Sequence, residues 1–117
     1  MLSFPSNAQI YLCTAPTDMR KSFDGLTALV VSAMNQDVLS GHLFLFVNRR
    51  RDLVKLMWWD RDGLAIWMKR LEAGTFETPK GDTDHSCIEL DAAQLAMLLT
   101  GISLESAKRR KRFSIAS

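Results

Sequence analysis

The chain has few of the residues and motifs that assign a protein to a chemical class. It contains two cysteines, Cys13 and Cys87, which are too few and too far apart in sequence for a disulfide framework or a zinc site. They form no ligand spacing with His42 and His85, so we expect free thiols and no metal or other cofactor. Nucleophile elbows, phosphate-cradling glycine loops and paired histidines are absent as well. These absences predict a protein that is not an enzyme.

Long apolar segments are also missing. No run of eighteen apolar residues occurs, and residues 1–5 lack the basic segment and apolar stretch of a secretory signal. We therefore expect a cytoplasmic protein that makes no use of a membrane. The 117 residues are 47% hydrophobic and 24% charged, which is enough for one compact core. We expect a single domain over residues 1–105.

The net charge of +2 hides an uneven distribution of charge. Five consecutive basic residues fill positions 108–112, whereas acidic residues outnumber basic ones in the rest of the chain. Five like charges in a row cannot pack into a core, so we expect residues 106–117 to form a flexible basic tail. Such a tail either binds an anion, most often nucleic acid, or only keeps the protein soluble, and both interpretations are open.

Hydrophobic periodicity predicts an α+β fold. A short strand is expected at 9–13 and a helix with apolar residues at three- and four-residue spacing over 19–34. The apolar run 43–47 predicts a buried, central strand. A further strand at 87–90 precedes a helix that Asp91 can cap. Together with the hairpin described next, these elements predict a small, mainly antiparallel sheet packed against two helices, with a meander of about three strands plus one or two short strands.

The segment 53–71 contains all three tryptophans and predicts a β-hairpin. We expect a type I turn with a bulge over 60–63, in which Gly63 takes a positive φ. In that register Lys55 faces Lys69, and alternation places an apolar set of side chains against the core. The opposite face then carries Lys55, Met57, Trp59, Ala65, Trp67 and Lys69.

This basic and aromatic hairpin face has two interpretations. Aromatic rings stack on bases and ammonium groups neutralise phosphates, a combination typical of single-strand binding surfaces. Alternatively, the tryptophans lie beneath another layer with lysine stems across them. A two-residue turn would shift the register by one residue and remove the shared face.

Two further clusters of charge are candidate sites. The arginines at 49–51 lie in a predicted loop, and guanidinium groups suit phosphate oxygens, although loop arginines are also commonly just solvated. Acidic pairs occur at Asp60 and Asp62 and at Asp82 and Asp84, but aspartates two residues apart are ordinary turn residues. We therefore expect no metal at either pair.

Two blocks, 16–26 and 41–76, resemble a known family. Their motifs, Pro-Thr-Asp-Met-Arg-Lys-Ser-Phe-Asp-Gly-Leu and Gly-His-Leu-Phe-Leu-Phe followed by the hairpin, are similar to TnpB, a small accessory protein of a bacterial insertion-sequence family with a separate transposase. The RNA-guided nuclease of the same name is unrelated. The resemblance covers residues 8–105 and implies a role in transposition without established catalytic chemistry. The polar positions of the family pattern include Asp18, Arg20 and Asp60. One interpretation of Asp18 and Arg20 is structural: either could form an ion pair with Arg70 or Asp60.

Two functions are compatible with these observations. The first is a DNA-binding accessory factor that contacts element ends or a displaced single strand. Its candidate contacts are Arg49, Arg50, Arg51, Lys55, Trp59, Trp67, Lys69, Arg70, Lys108, Arg109, Arg110, Lys111 and Arg112. The second is a protein-interaction module that docks on the transposase or on a second copy, with tryptophan at the centre of the contact. An unpaired edge strand could support the second function.

Overall fold

The protein consists of a five-stranded sheet with one helix on each face. A computed structural model describes residues 7–79 and 86–100. The elements are β1 (Ile10–Cys13), α1 (Phe23–Ser32), β2 (Leu43–Val47), β3 (Leu53–Asp60), β4 (Gly63–Arg70), β5 (Cys87–Leu90) and α2 (Ala92–Thr100). A short 3-10 turn, Val38–Ser40, precedes β2. The predicted α+β class, with a mainly antiparallel sheet and two helices, is confirmed.

The strands lie in the order β4-β3-β2-β1-β5. Strands β2, β3 and β4 form the predicted antiparallel meander, and β1 pairs parallel with β2. Strand β5 runs antiparallel to β1 at the far edge. All five side chains of β2 are buried. The prediction that 43–47 is a central strand is therefore confirmed, because helices cover both faces of it.

Each face of the sheet packs against one helix. On one face, Leu95 and Leu98 of α2 join a cluster that includes Leu12 and Leu45. On the other face, Leu26 and Val30 of α1 join a cluster with the two buried phenylalanines of β2. Successive side chains of a strand point to opposite faces of the sheet, so neighbouring residues join different clusters. The position of a residue in its strand therefore decides whether it faces α1 or α2.

The hairpin register differs from the prediction by one residue. Asp60 pairs with Gly63, so the connection is the two-residue loop Arg61-Asp62 rather than a bulged turn. The positive φ belongs to Arg61, at 59°, whereas Gly63 begins β4 without one. The Asp62 N–H donates to the Asp60 carbonyl at 2.6 Å, which closes the turn tightly. Two-residue loops are the commonest hairpin connections, and this one changes every cross-strand pair.

The start of α2 follows the prediction. The backbone N–H of Gln94 donates to the Asp91 carboxylate at 2.7 Å, and the Asp91 N–H donates to the Gln94 side chain at 2.9 Å. This reciprocal pair is a capping box, which satisfies two N–H groups that the helix itself cannot pair. The predicted basic tail and the Asp82–Asp84 pair lie outside the described residues.

Candidate nucleic-acid interface

The loop between β2 and β3, here called the arginine loop (residues 48–52), has a well-defined backbone. The Asn48 side-chain carbonyl accepts from the N–H groups of Asp52 and Leu53 at 3.0 and 3.1 Å. The Asn48 backbone carbonyl accepts from the Arg51 N–H at 3.0 Å, which closes a turn. Farther along the chain, the Phe76 N–H donates to the Arg51 carbonyl at 2.6 Å. The side chains on this loop therefore project from a fixed base.

Arg49, Arg50 and Arg51 are all exposed on that base. The nearest acidic residue in the chain, Asp52, accepts a hydrogen bond from the Asn48 amide at 2.7 Å. Among the described residues, none of the three guanidinium groups forms an ion pair. Three cations thus remain available to an external anion, and a guanidinium group suits phosphate because it can donate two parallel hydrogen bonds.

Further basic residues lie at the same end of the sheet. The loop after β1 is tied to this end because the Thr17 N–H donates to the Val47 carbonyl at 2.9 Å, and it carries Arg20 and Lys21. Arg70 ends β4 opposite Leu53, next to the arginine loop. The hairpin tip at the opposite end instead carries Asp60 and Asp62. The strand directions thus separate the arginine loop from these two carboxylates along the length of β3.

Two of these peripheral arginines have carboxylate partners. Arg20 binds Asp18, with an Nη2–Oδ2 distance of 2.7 Å, and both side chains are exposed. Hydrogen bonds from Arg20 lower the pKa of Asp18 to about 2. Arg70 forms an ion pair with Glu72, with an Nη2–Oε1 distance of 3.6 Å. The expected ion pair of Asp18 or Arg20 with Arg70 or Asp60 is therefore wrong, because the local sequence places Asp18 and Arg20 within reach of each other.

The expected basic and aromatic hairpin face does not form. With the two-residue loop, Lys55 pairs with Met68 and Lys69 pairs with Val54, so the two lysines point to opposite faces of the sheet. Trp59 lies on the α1 side and Trp67 on the α2 side for the same reason. Both tryptophans are half-buried, and Trp67 packs against the cluster around α2. The like-charged pair expected at Lys55 and Lys69 is absent for the same geometric reason.

Both lysines instead donate hydrogen bonds to backbone carbonyls. The Lys55 ammonium donates to the carbonyls of Met19 and Lys21 at 2.9 and 2.8 Å, which fixes the loop before α1. The Lys69 ammonium donates to the Leu99 carbonyl at 3.0 Å in the last turn of α2. A cation at a helix C-terminus also interacts favourably with the helix dipole. Sequence reasoning missed both contacts because each joins positions at least thirty residues apart.

No group of three His, Cys, Asp or Glu side chains in residues 7–79 and 86–100 is placed to hold an ion. Within the same residues, no helix is both long and apolar enough to cross a membrane.

Comparison with known proteins identifies the family. The family profile described as IS66 Orf2 like protein matches residues 8–109. The chain belongs to this family. It is therefore a transposition-associated accessory protein, and the family carries no evidence of catalysis. The resemblance found in the two sequence blocks is confirmed.

Relatives of this IS66 Orf2-like protein occur in Sinorhizobium fredii (strain NBRC 101917 / NGR234). Its uncharacterized protein y4hO is 35% identical over 102 residues, which cover 87% of each chain. Its uncharacterized protein y4jC is 30% identical over 102 residues, 87% of this chain and 86% of the relative. No solved structure matches the chain significantly.

Proposed function

We propose that this IS66 Orf2-like protein is a non-catalytic accessory factor that binds DNA of its element through the arginine loop. The observation that carries the proposal is the combination of three exposed arginines with a backbone fixed by Asn48. A fixed loop loses little conformational freedom on binding, so more of the interaction energy reaches the affinity. Contacts of this kind position a protein on the phosphate backbone without reading sequence.

The basic tail belongs to the same proposal. Helix α2 ends at Thr100, one residue after the Leu99 carbonyl that Lys69 binds, and Lys69 is close to the end of β4 beside the arginine loop. The run 108–112 starts eight residues later, within about 27 Å of extended chain from Thr100. That length allows the tail to contact a duplex already bound by Arg49–Arg51. The family match ends at residue 109, so residues 110–112 lie beyond it.

Tryptophan and lysine contacts become secondary under this proposal. Trp59 and Trp67 face opposite sides of the sheet and cannot stack on successive bases of one strand together. Lys55 and Lys69 already donate to carbonyls. Their contact with DNA stays a prediction, and it would require these hydrogen bonds to be shared with phosphate.

Fluorescence anisotropy of labelled element-end duplex across a salt series tests the proposal. Each phosphate contact contributes about 0.9 to the slope of log affinity against log salt. We expect triple replacement of Arg49, Arg50 and Arg51 by glutamine to reduce the slope by about 2 to 3. The control is Arg61→Gln, which removes one exposed arginine from the hairpin tip at the opposite end of the sheet, and the two variants are compared by the slope lost per arginine removed.

An equal loss of slope per arginine in the loop variant and in the Arg61 control would contradict a localised interface. Deletion of residues 106–117 separates the tail from the loop: we expect a further loss of slope in the loop variant. If the deletion alone abolishes binding and the loop variant binds like the native protein, the arginine loop is not the interface.

The edge strand β4 favours a second candidate function, docking on a protein partner or on a second copy. Among the described strands, β4 pairs with β3 alone, and its Met68 is 57% exposed. Unpaired edges of this kind accept another strand. Sedimentation analysis of Met68→Lys tests this candidate, because a charge at the edge blocks strand addition. An unchanged mass and unchanged transposase binding would reject it.

A further inference from the structure

The two cysteines are direct neighbours across the sheet. Cys13 ends β1, Cys87 begins β5, and the antiparallel register places the two residues opposite each other. Opposed residues share a face, here the one covered by α1, where both cysteines belong to one cluster. Both are free thiols. The pairing of β1 with β5 thus brings together two thiols that most of the chain separates in sequence.

The type of strand pair sets their separation. The Thr14 N–H donates to the Ser86 carbonyl at 2.9 Å, so the next pair along, Thr14 with Ser86, is hydrogen-bonded. In antiparallel strands the two kinds of pair alternate, which makes Cys13–Cys87 a non-hydrogen-bonded pair with Cα atoms about 4.5 Å apart. A disulfide requires Cα atoms about 4.4–6.8 Å apart. The backbone therefore already meets the distance requirement of a disulfide.

The two thiols differ in access. Cys13 is 3% exposed, and its sulfur lies 3.7 Å from the Ala15 carbonyl. Cys87 is half-buried and borders an open depression of about 380 Å³ that Tyr11 and Met34 also line. A small reagent from solvent consequently meets Cys87 first, with Cys13 behind it.

We propose that Cys13 and Cys87 form a redox modification site that takes a small-molecule disulfide as its oxidant. The Cys87 thiolate attacks one sulfur of the reagent, forms a mixed disulfide and releases one reagent thiolate. The Cys13 thiolate then attacks the Cys87 sulfur and releases the second reagent thiolate. The protein loses two protons and two electrons, and one reagent disulfide becomes two thiols.

The product has a defined structural consequence. The new bond joins the edge strand β5 to β1 and closes a chain loop that contains α1, β2, β3 and β4. A long closed loop restricts the unfolded chain and so favours the folded protein. Because β5 leads directly into α2, the bond also anchors that helix to the sheet.

Incubation of the purified full chain with oxidised glutathione tests the proposal. We expect loss of both thiols together, an intact mass lower by two hydrogen atoms, and a single peptide that links Cys13 to Cys87. The oxidised chain should unfold at a higher temperature than the reduced chain, and dithiothreitol should reverse both changes. Stable glutathione adducts, disulfide-linked dimers or unreacted thiols would each overturn the proposal.

A displaced cysteine provides the matched control. In the double variant Cys87→Ser with Glu89→Cys, the new cysteine shares the face but opposes Tyr11, two residues away from Cys13. Diagonal neighbours are about 7–8 Å apart, beyond disulfide reach. We expect this variant to retain a glutathione adduct at residue 89. An internal disulfide formed as readily as in the native chain would show that strand register does not determine the reaction.

Discussion

Replacement of Lys55 by methionine distinguishes a structural lysine from a DNA-contacting one. Methionine keeps the apolar stem and removes the ammonium that donates to Met19 and Lys21. A hydrogen bond from a charged donor contributes about 1.5–3 kcal/mol, and water can replace the exposed bond to Lys21. We therefore expect the free energy of unfolding to fall by about 2 kcal/mol. For a domain of this size the melting temperature should fall by about 8 °C.

Urea and thermal unfolding followed by circular dichroism measure this loss. Lys21→Met is the control, because it removes the same charge from an exposed side chain in the loop that Lys55 holds. We expect the control to change stability by less than about 0.5 kcal/mol. Lys55→Arg should restore part of the loss, since its guanidinium group can still donate to one carbonyl.

DNA binding by the same variants supplies the second measurement. If Lys55 only holds the loop, the salt slope of the folded Lys55→Met protein matches that of the native protein. A variant as stable as the native protein, with a salt slope reduced by about 0.9, would refute the structural role and assign Lys55 to phosphate.

Three further predictions concern single features of the fold. Asp91→Ala removes the α2 cap and should lower the free energy of unfolding by about 1 kcal/mol in urea denaturation. Arg61→Gly should raise it by about 0.5–1 kcal/mol, because glycine tolerates the φ of 59° at the hairpin tip. Burial raises the pKa of the Cys13 and Cys87 thiols, so alkylation of the folded chain should be slower than that of a free cysteine at neutral pH and should accelerate as pH rises.

Each of these three has a clear contrary outcome. An unchanged unfolding curve for the Asp91 variant would show that the capping box contributes little to α2. Destabilisation by glycine at position 61 would mean that the arginine side chain matters more than backbone strain. Alkylation of both thiols at the rate of a small-molecule thiol would show that the chain opens readily around β5.

The sequence predicted the elements of this fold well where the signal is local. The apolar run 43–47 predicted a strand buried on both faces, and Asp91 ahead of an apolar helical period predicted a cap, and both are confirmed. Alternation within each hairpin strand was also correct. Each of these signals depends on residues a few positions apart, whose interactions are similar in any fold.

The candidate site was predictable only in part. Three consecutive arginines between two strands identified a basic loop, and the structure places them exposed on a fixed backbone. The prediction that Lys55 and Lys69 share a face was wrong. The hairpin loop is one residue shorter than predicted, which moves every β4 side chain relative to β3. The energy difference between alternative turns is small, so composition alone does not decide between them.

The sequence by itself determined the family, the order of helices and strands and the basic character of the arginine loop. Only the tertiary structure decided which backbone carbonyls each lysine binds, and that the sheet order places β5 beside β1. The same strand order makes neighbours of Cys13 and Cys87, two thiols that the sequence separates by most of the chain. The physical reason is that strand register and strand order depend on packing both sheet faces at once, whereas local periodicity describes one segment at a time.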